Sequence, residues 1–174
     1  MVSRSLIDRW LWFTWWNRWT EAIERWPGRY RLTLLAVIAC LGLVARVWAQ
    51  TRPSNFDFDS WMIASTTALA GEDPYATMRY NYAPPWLFLL TLIQSVSDTP
   101  EGFRLGITLL LTAGDVLVAA LLSKRGYTLG AVFFLLAPIG ISISGQHQQF
   151  DNLAVVLALS AMLLASRTRD LFDK

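Results

Sequence analysis

The stretch LTLLAVIACLGLVARVWA, residues 32–49, decides how the rest of the chain is read. It carries a single charge, Arg46, and approaches the roughly 20 apolar residues that a helix needs to cross a bilayer. Three further stretches have the same character: 103–122, 127–144 and 150–166, the last being the shortest. Of the 174 residues, 54% are hydrophobic and 16% charged, against about 45–50% and about 25% for an ordinary soluble domain. The apolar excess is gathered in these runs. The expected fold is therefore an all-α polytopic membrane protein with four transmembrane helices, an N-terminal amphipathic interfacial helix and short extracytoplasmic juxtamembrane helices.

Several function classes drop out early. Cys40 is the only cysteine and lies inside the first apolar run, which excludes a disulfide-stapled secreted domain. His147 is the only histidine, which argues against a Cys/His zinc site. A net charge of +2, with the basic residues split among short loops, gives no nucleic-acid footprint.

Residues 86–97 form a fifth apolar stretch. Twelve residues cover about 18 Å as helix, too short to span and suited to an interfacial or re-entrant segment. With that segment left out of the spans, one face carries residues 1–31, Lys124-Arg125 and the tail from Arg167. That face holds eleven Lys and Arg; the other holds only Arg52, Arg79 and Arg104. The asymmetry predicts a cytoplasmic N-terminus. It divides the chain into a cytoplasmic interfacial region, 1–31, and a transmembrane region, 32–174, with an extracytoplasmic loop at 50–102. Within the first region, residues 15–26 place Trp15, Trp16, Trp19, Ala22, Ile23 and Trp26 on one helical face and Asn17, Arg18, Glu21, Glu24 and Arg25 on the other. Rings on one side and charges on the other suit the headgroup layer, so membrane lipids are the expected partner. Pro27-Gly28 is expected to end this helix.

The extracytoplasmic loop is long and rich in residues that pack, which favours a functional segment over a disordered one. It opens Asn55-Phe-Asp-Phe-Asp-Ser-Trp61. In an extended segment Asp57 and Asp59 point to one side. Such a pair binds a divalent cation, supplies a general base, or is merely a solvated acidic turn. A helix is expected over 61–70, closed by the turn Gly71-Glu-Asp-Pro-Tyr75, and a second helix opens at Pro84-Pro85. A second polar cluster, Ser142-Ile-Ser-Gly-Gln-His-Gln-Gln-Phe-Asp-Asn152, falls on the same face as Asp57. Asp151 and Asn152 there have a plain role as helix caps.

Asp115 lies inside the second expected span, where a carboxylate costs about 2.5–3.5 kcal/mol. It must be protonated, paired or turned to a wet cavity. Arg46 sits about one turn from the outer end of its span and Asp115 some 18 Å deep at helical rise. That mismatch favours an Arg46 that snorkels out to a lipid phosphate over one paired with Asp115.

Asp57, Gly71-Glu-Asp-Pro-Tyr75 and Tyr80-Asn-Tyr-Ala-Pro84, in that order and spacing, resemble the GT-C superfamily of membrane glycosyltransferases. The likeness is to the members that use polyprenyl- or dolichyl-phosphate sugars, among them the transferase of the first GPI mannose. His147-Gln-Gln-Phe150 is similar to the His-x-Gln-aromatic motif of related lipid-linked glucosyltransferases, although Asp151 stands where Asn usually follows. The resemblance spans about 30–166 and corresponds to the N-terminal portion of such enzymes. It implies inverting transfer of a hexose such as mannose from a polyprenyl-phosphate donor to an acceptor hydroxyl on the extracytoplasmic face. It favours Asp57 over Asp59 as the acid that serves catalysis, and implies Arg79, Tyr80, Tyr82, Arg104, Gln146, His147, Gln149 and Asp151 as substrate-binding residues, with Arg52 a weaker cation. It requires no cofactor and leaves a divalent metal on Asp57 and Asp59 as an alternative. The short length implies a fragment, a second membrane subunit that supplies the missing half, or a non-catalytic descendant serving as a structural subunit. A small transport component, argued from Asp115, lacks the repeated broken helices of that class.

Overall fold

The computed structural model describes the backbone of residues 4–53 and 55–172, and the side chains of residues 14–53, 55–162 and 165. The basic tail and the end of the fourth expected span have side chains outside that set. Among the described residues the fold is all-α. The helices are α1 (Arg4–Glu24), α2 (Gly28–Ala49), α3 (Phe56–Leu69), α4 (Pro84–Ser95), α5 (Pro100–Lys124), α6 (Thr128–Leu136), α7 (Pro138–Ile141) and α8 (Asp151–Phe172). A 3-10 turn covers Pro74–Thr77, and a π-helical segment, Ser142–His147, continues α7.

Two of these helices, α2 and α5, are long and apolar enough to cross a membrane. The expected third span is broken: α6 and the Pro138–His147 segment meet the same test only together, bent by 50°. Among the described residues the candidate spans thus number two, or three if the bent pair counts as one, where four are expected from the sequence. Pro138 causes the break in the third. It has no N–H to donate to Phe134 and crowds the preceding turn, so Ala137 takes an extended ψ of 124°. In α8 the apolar stretch among described side chains is Asp151–Met162, which falls short of a span.

Local chemistry explains the remaining boundaries. Helix α3 starts five residues earlier than expected because Asn55 caps it, its side chain accepting the Phe58 N–H at 2.9 Å. Asp57 and Asp59 then fall in the first turn, where the helix dipole favours carboxylates. Gly71 (φ +78°) supplies the left-handed residue that closes this helix. Pro84 and Pro85 occupy the first turn of α4, and Thr99 caps α5 through the Gly102 N–H at 3.0 Å.

The loop between α2 and α5 is thus a folded cap. Phe58, Trp61 and Ala64 of α3, Trp86 and Leu90 of α4, and Phe103, Ile107 and Leu111 of α5 form one buried cluster. A smaller cluster joins Ala119 of α5 to Ala131 and Leu135 of α6.

Helix α1 does not present its whole tryptophan face outward. Trp16 packs on Phe133 with ring centroids 5.3 Å apart, and Ile23 is buried. Glu24 accepts the Thr128 N–H at 2.6 Å, capping α6 from a different helix, and is ion-paired with Arg31. Burial pushes the Glu24 carboxyl pKa up, but the hydrogen bonds from Thr128 and Arg31 outweigh it and hold the carboxyl below its usual range. Trp15, Trp19 and Trp26 remain exposed. The amphipathic helix ends at Glu24, two residues short of Trp26, and Pro27 leads directly into α2.

Candidate functional site

Arg46 is fully buried, not turned outward to a lipid phosphate. Its Nε donates to Asp115 Oδ2 at 3.1 Å and its Nη2 stands 2.8 Å from the same oxygen. The depth mismatch closes because side chains on a helix lean toward its N-terminus: Arg46 folds back a full turn, where Nη1 donates to the Gly42 carbonyl at 3.0 Å. The same nitrogen donates to the Leu135 carbonyl at 3.0 Å. That carbonyl is left without a helical partner by the break at Ala137, so Arg46 caps the broken helix as well as pairing the acid.

Asp115 in turn accepts from Ser144 Oγ at 2.8 Å and from Asn152 Nδ2 at 3.2 Å. One buried polar column therefore links α2, α5, the π-helical segment and α8. Asn152 belongs to this column and does not cap α8. The close approach is built on glycine: a Cβ at Gly145 would fall 2.7 Å from the Arg46 carbonyl oxygen.

The column fixes the polar segment above it. After the π-helical turns, Gln148 adopts a left-handed φ of 59° and is fully buried, its Nε2 donating to the Arg104 carbonyl at 3.1 Å and to Thr108 Oγ1 at 3.3 Å. π-helical insertions are frequent at functional sites. Here the insertion turns His147 and Gln149 toward α3. Gln149 donates to the Asp57 carboxylate, and Asn55 Nδ2 donates to the His147 carbonyl at 3.2 Å and lies 3.3 Å from its Nδ1. The two polar clusters singled out in the sequence, 92 positions apart, do converge.

Asp57 and Asp59 part company. Two helical positions are separated by about 200° at 3.6 residues per turn, so the carboxylates diverge instead of sharing one side. The expectation of a common side rested on an extended segment, and the Asn55 cap makes it helical. Asp57 faces Gln149. Asp59 faces a cleft of about 300 Å³ that Arg52, Arg104 and Glu101 also line. Arg104 lies over the Phe58 ring, 5.4 Å from its centroid, and its Nη1 donates to the Arg52 carbonyl at 2.8 Å. Arg52 Nη1 donates to Gln146 Oε1 at 3.3 Å. Arg104 and Arg52 thus meet at the Gln146 segment, whereas Arg79 stands apart over the Phe56 ring at 4.8 Å.

Aromatic rings back the site. Tyr82 packs edge-on to Phe150 at 5.2 Å and to Trp61 at 6.4 Å, and Phe150 lies 4.8 Å from Trp86. Partial burial, followed by the carboxylates of Asp57 and Asp151, raises the Tyr82 pKa. Tyr80 is buried, with its hydroxyl donated to the Ala83 carbonyl at 3.1 Å. Burial, followed by the neighbouring Tyr75, pushes its pKa up to about 12. Tyr80 therefore holds the 79–84 turn, while Tyr82 and the exposed Asp151 stand at the site.

Asn55, Ser144 and Gln148 were missed as site residues. Asn55 carried a signal, because an Asn before an apolar run is a helix-cap pattern. Gln148 carried none, since its left-handed conformation follows from a π-helical insertion that no local pattern announces. Among the described residues no cluster of three or more metal-ligating side chains occurs. No protein family, curated protein or solved structure matches the chain.

Proposed function

We propose that the chain is a membrane-embedded glycosyltransferase unit that moves a hexose from a polyprenyl-phosphate donor to an acceptor hydroxyl. The observation that carries this reading is the Asp57–Gln149 hydrogen bond, with Asn55–His147 beside it, joining the two polar segments in one place. In the reaction the acceptor oxygen attacks the anomeric carbon and its proton passes to the Asp57 carboxylate. The bond from the anomeric carbon to the phosphate oxygen breaks with inversion, and its electron pair leaves on the lipid phosphate. Gln149 holds Asp57 in position, and Arg104 and Arg52 neutralise the departing phosphate. Tyr82 and Asp151 flank the sugar. No cofactor takes part; the divergence of Asp57 from Asp59 disfavours a cation held by both.

In this reading α2, α5, the bent pair and α8 make four crossings, with the N-terminus cytoplasmic and the site on the extracytoplasmic rim, as the distribution of basic residues implies. A second membrane chain would complete the groove for the lipid. Cysteines placed at Ser97 and Tyr127, after replacement of Cys40, should be labelled from opposite sides; labelling of both from one side removes this topology.

The exposed rings of Trp15, Trp19 and Trp26 favour a second reading, a non-catalytic subunit of a membrane complex. Reconstituted with polyprenyl-phosphate mannose and an acceptor extract, the chain alone or with its co-purifying partner should transfer sugar, and Asp57→Asn should abolish transfer. Stable co-purification without turnover in any combination would support the subunit instead.

A further inference from the structure

A second cleft, of about 370 Å³, lies between α3, the end of α4 and the start of α5. It adjoins the Asp59–Arg104 cleft, since Met62 and Pro100 line both. Its volume falls at the lower end of the range for small-molecule sites, about 300–1,000 Å³. The lining combines two kinds of surface. Met62, Ile63 and Pro100 are apolar; Thr66, Thr67, Gln94, Asp98 and Thr99 are polar.

The hydrogen-bonding capacity of the polar side is mixed and partly unused. Gln94 Oε1 is shielded from solvent and accepts no hydrogen bond from the protein. Such an acceptor is costly unless something donates to it. Thr67 spends its hydroxyl proton on the Ile63 carbonyl at 2.8 Å, leaving an oxygen that accepts. Thr99 Oγ1 accepts from the Gly102 N–H and keeps its proton to donate. Thr66 is an exposed residue on the same lining. Donors and acceptors set among apolar side chains, Thr66 and Thr67 with Met62 and Ile63 on α3 and Thr99 with Pro100 at the start of α5, match a sugar ring, whose hydroxyls both give and accept while its C–H face is apolar. Charge sorts the alternatives: the only ionisable lining residue is Asp98, so a phosphate or other anion is repelled.

We infer that this cleft is a binding site for a neutral sugar ring, held by Gln94, Thr66, Thr99 and Asp98 against Met62 and Pro100. Binding of the ring there does not rest on the transferase reading. Placed there, a sugar lies next to the Asp59–Arg104 cleft.

The test uses the full chain in lipid nanodiscs, titrated with methyl α-mannoside and followed by saturation-transfer NMR, with inorganic phosphate as competitor. Saturable binding is expected, unaffected by phosphate. Thr66→Val, at an exposed position that the fold does not need, and Gln94→Leu should each weaken it roughly five- to tenfold, the loss of one ordinary hydrogen bond. Absence of saturable binding, an affinity that Thr66→Val does not move, or displacement by phosphate overturns the inference. Saturable binding by a chain that transfers no sugar would keep this cleft and remove the transferase; transfer without such binding would do the reverse.

Discussion

Arg46 and Asp115, 69 positions apart on α2 and α5, form an ion pair with 2.8 Å between Nη2 and Oδ2, and neither is reached by solvent. Gly42 and Leu135 accept from Arg46, and Ser144 and Asn152 donate to Asp115, so the pair ties the broken helix and α8 to the two long helices. Removing one partner of such a pair leaves an uncompensated buried charge, which costs about 3–5 kcal/mol. Arg46→Met should therefore lower the unfolding free energy by that amount. Asp115→Leu alone should cost about as much, while the double variant Arg46→Met/Asp115→Leu should recover most of the loss. A double-mutant cycle from unfolding in detergent checks this; additive losses would mean that the two side chains do not act as a pair.

Gly145 sets how closely the π-helical segment approaches α2. Its missing side chain leaves room for the Arg46 backbone, which a Cβ would meet at 2.7 Å from the oxygen and 2.9 Å from Cα. Backbone atoms cannot step aside as a flexible side chain does. Gly145→Ala should cost about 1–3 kcal/mol by overpacking. Gly28→Ala, where no atom lies within 4 Å, should stay within about 0.5 kcal/mol. Equal melting temperatures for the two variants would contradict the close approach.

Acid should release α1 from α6. The folded-state pKa of Glu24 is held below its ordinary 4.5, so its contribution to docking is present above that value and lost as pH falls through the folded pKa. Quenching of tryptophan fluorescence by a soluble quencher should rise in that acid window, as Trp16 parts from Phe133. Glu24→Gln should remove the pH dependence there. A wild-type profile that stays flat as pH falls well below 4.5 would show that Glu24 does not carry the contact.

What was legible in the sequence was what local physics controls. Long apolar runs gave α2 and α5; Pro84-Pro85 and Gly71 gave the start of α4 and the end of α3. The expected meeting of Asp57 with the Gln146–Asn152 cluster has its counterpart in the Asp57–Gln149 and Asn55–His147 contacts. The errors have separate causes. Pro138 was read through as part of a continuous apolar run, although its missing N–H breaks the helix. The depth of Arg46 was counted along the backbone, without the backward lean of its side chain. The direction of Asp59 was taken from an extended chain, whereas the Asn55 cap makes the segment helical. The left-handed Gln148 depends on tertiary contacts to Arg104 and Thr108 and had no local signature.

The divergence of the two acids separates their expected roles in transfer. Asp57 is the acid that Gln149 orients, and loss of a general base typically costs 10²–10⁴-fold in rate, so Asp57→Asn should lose about a hundredfold or more in kcat. Asp59 shares its cleft with Arg104 and Arg52, where a carboxylate opposes a bound phosphate as much as it positions the cations. Asp59→Asn should therefore change KM for the lipid-phosphate donor more than kcat. Gln149→Leu keeps the Asp57 carboxylate but removes its donor, and should fall between wild type and Asp57→Asn in kcat, with KM little changed. Steady-state kinetics on the three variants distinguishes these cases. If Asp59→Asn lowers kcat as severely as Asp57→Asn does, the two acids act together, and the base cannot be assigned to Asp57 alone.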